Sequence, residues 1–236
     1  MSKKKLTDSN SYIIIYSCLM VVIVAFLLAF VSSSLKPAQD VNVALDKKKQ
    51  ILAALNIRHL DNKQSAAKYN EVVEADAIIN IDGNYIEKGT QGGEKAGFRL
   101  NSADYKNGKL AVYECNVGGE RKYVVPVFGQ GLWGPIWGYI AVNADGNTIY
   151  GAYFSHEGET AGLGAEIKDS QTWQEQFAGK TIYDAVGKTI LKVLKKSEVR
   201  NPQSEVDAVT GATLTSVGVS DMLQEGFSKY QKYLRK

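Results

Sequence analysis

WGYIAVNADGNTIYGAYFSH, residues 137–156, decides the fold. Two runs rich in β-branched and aromatic residues, 137–143 and 148–156, flank Asp145-Gly146. Asp-Gly between such runs is the strongest short hairpin signal, because the tight turn that matches strand twist needs positive φ. Upstream, residues 110–115 and 123–128 flank Val117-Gly118-Gly119, a second predicted hairpin. Earlier still, 72–81 reads as an apolar-rich strand and 83–97 as a glycine-rich loop. Downstream, Ile182, Val186, Ile190, Val193 and Leu194 share one face of a predicted helix over 181–194. Val219, Met222, Leu223, Phe227, Tyr230 and Leu234 do the same over 217–234. Strands in one block with helices beside them predict an α+β domain with an antiparallel sheet and flanking helices, not a doubly wound sheet. No internal repeat is present.

Ahead of this block, residues 12–31 read YIIIYSCLMVVIVAFLLAFV, 20 residues without a charge. At 1.5 Å per residue, a helix of about 20 residues crosses a hydrocarbon core of about 30 Å. A cleaved signal sequence is the other reading, but its apolar stretch is normally about 7–15 residues. The run is therefore expected to be a retained single transmembrane helix. Lys3, Lys4 and Lys5 precede it, while Lys36 and Lys47 to Lys49 follow, so the charge count is nearly balanced. Long domains translocate largely regardless of charge. The compact basic N-terminus then favours a cytoplasmic start and an extracytoplasmic domain. Residues 1–36 are expected to form tail and anchor, and 37–236 the domain. Within the domain, 41–60 forms a helical neck carrying Val41, Leu45, Ile51, Leu52, Leu55 and Ile57.

Composition excludes several classes. The net charge of +3 comes entirely from Lys3, Lys4, Lys5 and Lys36 against Asp8. From residue 37 onward acidic and basic residues balance, so nucleic-acid binding is disfavoured, since it needs surplus cations. Cys18 in the apolar run and Cys115 in the polar body predict no disulfide. With His59 and His156 they make no metal-ligand pattern, and no metal site is expected.

Two motifs carry chemistry. Residues 207–216 read DAVTGATLTS, with Thr210, Thr213, Thr215 and Ser216 just before the last amphipathic run. A helix N-terminus offers free N–H groups and partial positive charge to a phosphate, and Gly211 and Ala212 permit close backbone approach. Read alone, this is more often an ordinary Ser/Thr-rich helix cap. It is no P-loop, since the lysine and the spacing are absent. Residues 158–164 read GETAGLG, and this glycine-rich segment can line a flat ligand, with Glu159 and Thr160 as acceptor and donor. Read alone, it is more often a flexible surface loop. Trp133 and Trp137 are candidates for ring contact or for core packing. His156 reads as a strand-end structural residue, and no catalytic acid–base set is present.

GETAGLG followed by D-x-x-T-G-A-T-L-T-S resembles the FMN-binding domain family. The resemblance covers nearly the whole chain. Ala161 stands where the family usually has proline, and Thr210 where serine is commoner. Gly131-Leu132-Trp133 and the single span are similar to the membrane-anchored flavin subunit of sodium-translocating NADH:quinone oxidoreductases. The resemblance implies FMN held by a phosphoester bond to Thr213, the last residue of T-G-A-T. It implies a cofactor-binding set of Glu159, Thr160, Leu163, Gly164, Thr210, Gly211, Ala212, Thr213, Leu214 and Thr215. A separate flavin transferase would attach the group from FAD with a divalent metal, and Asp207 would belong to its recognition pattern. The implied setting is a bacterial inner-membrane complex with other subunits and the flavin domain on the periplasmic side. There the chain would relay electrons between NADH oxidation and quinone reduction during sodium export. The flavin-carrying component of Rnf-type electron-transport complexes is the alternative, and G-L-W and the neck favour the first. An anchored interaction domain without flavin is a third possibility, which the intact acceptor threonine opposes.

Overall fold

The computed structural model describes residues 9–236. Lys3, Lys4 and Lys5, on which the orientation argument leans, lie outside the described residues. Two compact units are distinguished, Met1–Asp46 and Lys47–Lys236. In the first, a helix α1 begins at Asn10 and carries the apolar run, with its side chains exposed. It is long and apolar enough to cross a membrane. α1 ends at Ala54, inside the second unit, so the expected neck stops short of residue 60. There Ile51, Leu52, Ala53 and Ala54 are buried.

The second unit is α+β. α2 (Asn62–Val72) opens on a capping box, in which Asp61 and Gln64 each bond the other's backbone N–H. β1 (Val73–Ile79) and the short β2 (Tyr85–Glu87) follow. Between β2 and the next helix, the glycine-rich segment wraps the buried Asp76. Its Oδ2 accepts the N–H groups of Ala96 (2.9 Å) and Phe98 (3.2 Å). After α3 (Ser102–Lys106) come β3 (Leu110–Val117), β4 (Glu120–Gln130), β5 (Pro135–Asn143) and β6 (Ile149–His156). These strands form one antiparallel sheet of order β2-β1-β3-β4-β5-β6. Gly118 and Gly119 both have positive φ (62° and 86°) in the β3–β4 turn, as a two-residue hairpin requires. Both hairpins read from the sequence are present.

Two short helices, α4 (Glu166–Asp169) and α5 (Gln171–Glu175), pack on β6. The helix expected over 181–194 does not form. Asp184 Oδ1 accepts the N–H groups of Val186 (3.0 Å) and Lys188 (2.8 Å), and Gly187 has φ +92°. This side-chain cap makes a tight turn, after which β7 (Lys192–Leu194) pairs in parallel with β8 (Glu205–Asp207). Val186, expected on the apolar face, is 85% exposed.

α6 (Thr213–Leu234) closes the chain and packs along β4. Its buried stripe of Val219, Met222, Leu223, Phe227 and Tyr230 recurs at three- and four-residue spacing. Each such side chain contributes about 1.5–3 kcal/mol on burial. The helix approaches β4 closely: a Cβ on Gly218 would lie 2.3 Å from the Gln130 carbonyl oxygen. That contact sets the second turn of α6 against the end of β4, where a cleft opens.

Candidate functional site

Three segments meet there. The β4–β5 turn closes with the N–H of Gly131 donating to the carbonyl of Gly134 (2.8 Å). The loop after β6 turns at Thr160, whose carbonyl accepts from Leu163 (3.1 Å) and Ala165 (3.0 Å). The third segment runs from β8 into α6. Ser216 Oγ accepts the N–H of Val209 (3.1 Å), Ala212 N–H donates to Val209 O (3.1 Å), and Gly211 takes φ +79°. These bonds fold the segment back over the helix start, a path that a β-branched residue at 211 would strain.

The segments enclose a cleft of about 220 Å³ lined by Leu132, Trp133, Glu159, Thr160, Leu163, Gly164, Gly211, Ala212, Thr213, Leu214 and Thr215. Every residue of the expected cofactor set lies on it except Thr210. Leu132, not singled out as a contact by the sequence reading, lines it too. The G-L-W string was the signal that pointed there. Trp133 also faces the cleft and is 67% exposed. Trp137 does not: its Nε1 donates to Gln50 Oε1 (2.9 Å), fastening the end of α1 to the sheet. His156 accepts the N–H of Glu159 at Nδ1 (3.1 Å), a structural bond at the strand end. Asp207 stands apart from the cleft at the end of β8, and its carbonyl accepts Trp173 Nε1 (2.7 Å).

The cleft suits FMN by chemistry. Leu132, Trp133, Leu163 and Leu214 offer an apolar wall to a flat ring. Thr213 is the first residue of a 22-residue helix whose preceding residue, Ala212, provides no side-chain cap. The opening N–H groups of α6 are therefore left for an external anion, which the helix dipole favours. Thr213 is exposed, so its hydroxyl is open to a modifying enzyme.

A sequence model of the FMN-binding domain matches residues 131–228, the stretch that contains all three cleft segments. Fold, cleft and match together define an FMN-binding domain protein. The NqrC component of the Na(+)-translocating NADH-quinone reductase of Haemophilus ducreyi is 30% identical, covering 93% of this chain and 90% of its own. That of Vibrio anguillarum is 32% identical over 78% of this chain and 77% of its own. The crystal structure of the same component from Parabacteroides distasonis superimposes with a TM-score of 0.78 at 37% identity, covering 86% of this chain and 98% of that one. Shewanella oneidensis NqrC gives 0.68 at 25% identity, over 82% and 97%. The chain belongs to the NqrC family of Na(+)-translocating NADH-quinone reductase subunits.

Proposed function

We propose that the protein is the electron-relay subunit of a sodium-translocating NADH:quinone reductase and carries FMN covalently on Thr213. The observation that carries this reading is the position of Thr213. It begins α6, opens onto the cleft, and has Gly211, Ala212 and Leu214 around it. In attachment, the Thr213 oxygen bonds the flavin-side phosphorus of FAD. The pyrophosphate P–O bond breaks, AMP leaves, and the hydroxyl proton is lost. A flavin transferase with a divalent metal would perform this step, with Asp207 in its recognition segment. The uncapped N–H groups of α6 would hold the resulting phosphodiester charge. Leu132, Trp133, Leu163 and Leu214 would exclude water from the flavin ring, and Thr160 would offer it a hydroxyl donor. Once bound, the flavin supplies the redox chemistry, and the chain supplies position and electrostatics. A tethered relay needs no acid–base set of its own. Residues 12–31 would anchor the protein in the inner membrane, with the domain on the periplasmic side beside the other subunits.

Co-expression with a flavin transferase tests the reading. The full-length protein is expected to fluoresce as a denatured gel band and to gain one FMN in intact mass. Thr213→Val keeps the shape without the oxygen and is expected to abolish both signals. An adduct that persists on Thr210 or Thr215 would overturn the assignment.

A further inference from the structure

Glu159 is a buried carboxylate in the cleft wall, 7% exposed. Its Oε2 accepts the hydroxyl of Thr215 (2.6 Å), and its Oε1 accepts the backbone N–H of Trp133 (2.9 Å). Both oxygens are thus engaged by the protein itself. Thr215 is buried in the first turn of α6, and Trp133 sits in the β4–β5 turn. One side chain therefore joins the two walls of the cleft. The backbone makes room for it. A Cβ on Gly131 would lie 2.4 Å from Oε1, and one on Gly164 would lie 2.2 Å from Oε2 and 2.7 Å from Thr215 Oγ1. Among the described residues, no Lys, Arg or His lines the cleft to balance the charge. Burying a carboxylate without a counterion is costly, and hydrogen bonds to N–H and O–H donors offset that cost only in part.

We propose that Glu159 is the positioning residue of the flavin cleft. Its carboxylate staples the Trp133 turn to the first turn of α6, so the cleft is formed before any flavin is attached. Its charge also opposes electron addition to the group that the cleft holds, which lowers that group's reduction potential. This rests on the flavin reading above. The two effects separate by substitution. Glu159→Gln can keep both links, its amide oxygen accepting from Trp133 and its amide N–H donating to Thr215 Oγ1, while the charge is removed. Glu159→Ala removes link and charge together.

The test uses full-length protein in detergent. In protein made without a flavin transferase, backbone hydrogen exchange in the peptide carrying Trp133 is expected to speed by roughly tenfold or more in Glu159→Ala, the loss of a hydrogen bond to a charged group. In Glu159→Gln it should stay near wild type. In protein made with the transferase, flavin content should fall in the alanine variant and be restored in the glutamine variant. The flavin of Glu159→Gln should have a higher midpoint potential than wild type. Wild-type exchange in the alanine variant, or a wild-type potential in the glutamine variant, overturns the proposal. If the alanine variant does not fold, the potential of the glutamine variant decides. If the wild-type protein takes up no flavin, the flavin reading fails, and the exchange measurement, made without flavin, still decides the staple.

Discussion

Replacing Gly164 by alanine places one methyl group between the two halves of the Glu159–Thr215 contact. An ideal Cβ there lies 2.2 Å from Glu159 Oε2 and 2.7 Å from Thr215 Oγ1, well inside contact distance. Neither atom is the free end of a mobile side chain, because both residues are buried and bonded to each other. The variant must therefore break that bond and displace its surroundings. Loss of a hydrogen bond to a charged group costs about 1.5–3 kcal/mol. Overpacking adds about 1–3 kcal/mol, so the sum is about 2.5–6 kcal/mol. In a domain of this size 1 kcal/mol moves Tm by about 2–4 °C, so a fall of about 5–24 °C is expected. Gly162 in the same loop provides the control. Its φ of +71° strains an alanine, but an added Cβ meets nothing within 4 Å. Strain alone costs about 1–2 kcal/mol. Thermal unfolding of flavin-free, full-length protein, followed by near-UV circular dichroism, measures both. If Gly164→Ala is no less stable than Gly162→Ala, the buried contact is not the keystone of this loop.

Three further outcomes are expected. Burial lowers Lys47 to about 8 despite the nearby Asp76, against 10.5 for the unfolded chain. Between pH 8 and 10 the unfolded chain then holds the Lys47 proton more often than the folded one, so this group alone adds on the order of 2–3 kcal/mol as pH rises, against the opposite trend of Cys115 and the buried tyrosines, which burial holds above their ordinary values. Urea denaturation should show wild type gaining that amount on Lys47→Met across this window, since Cys115 and the buried tyrosines titrate alike in both; a constant difference would refute the assignment. Asp184→Ala removes the side-chain acceptor of the 184–188 turn and should lower stability by about 1–2 kcal/mol in chemical denaturation. If the segment were instead a helix, the alanine would leave stability unchanged or raise it. A C-terminal alkaline phosphatase fusion should be active and a C-terminal cytoplasm-maturing fluorescent protein dark; the reverse would invert the topology.

The hairpins were legible because their signal is local: Asp145-Gly146 and Gly118-Gly119 specify turns by backbone conformation alone. The 181–194 segment was misread because Ile182, Val186 and Ile190 fall at helical spacing by coincidence. A carboxylate cap three residues into the segment, at Asp184, outweighs that spacing. α2 escaped notice because its buried set is sparse, Ser65, Tyr69 and Val72, and only the Asp61/Gln64 box marked its start. Glycine and hydroxyl density marked two walls of the cleft. That Glu159 reaches Trp133 and Thr215, 26 and 56 residues away, was not legible, because it depends on how the sheet and α6 meet.

β6 ends the sheet, and an end strand is where another chain would add. Asn56 Nδ2 donates to the carbonyl of Tyr150 (3.1 Å), and the Arg58 guanidinium donates to the carbonyl of Ala152 (3.0 Å). Two of the acceptors that an incoming strand would need are therefore already spent. At the opposite end, β2 is only three residues long. Copies crowded together are thus denied an edge-to-edge zipper. The side chains just beyond α1 act as guards against aggregation, a duty independent of any cofactor.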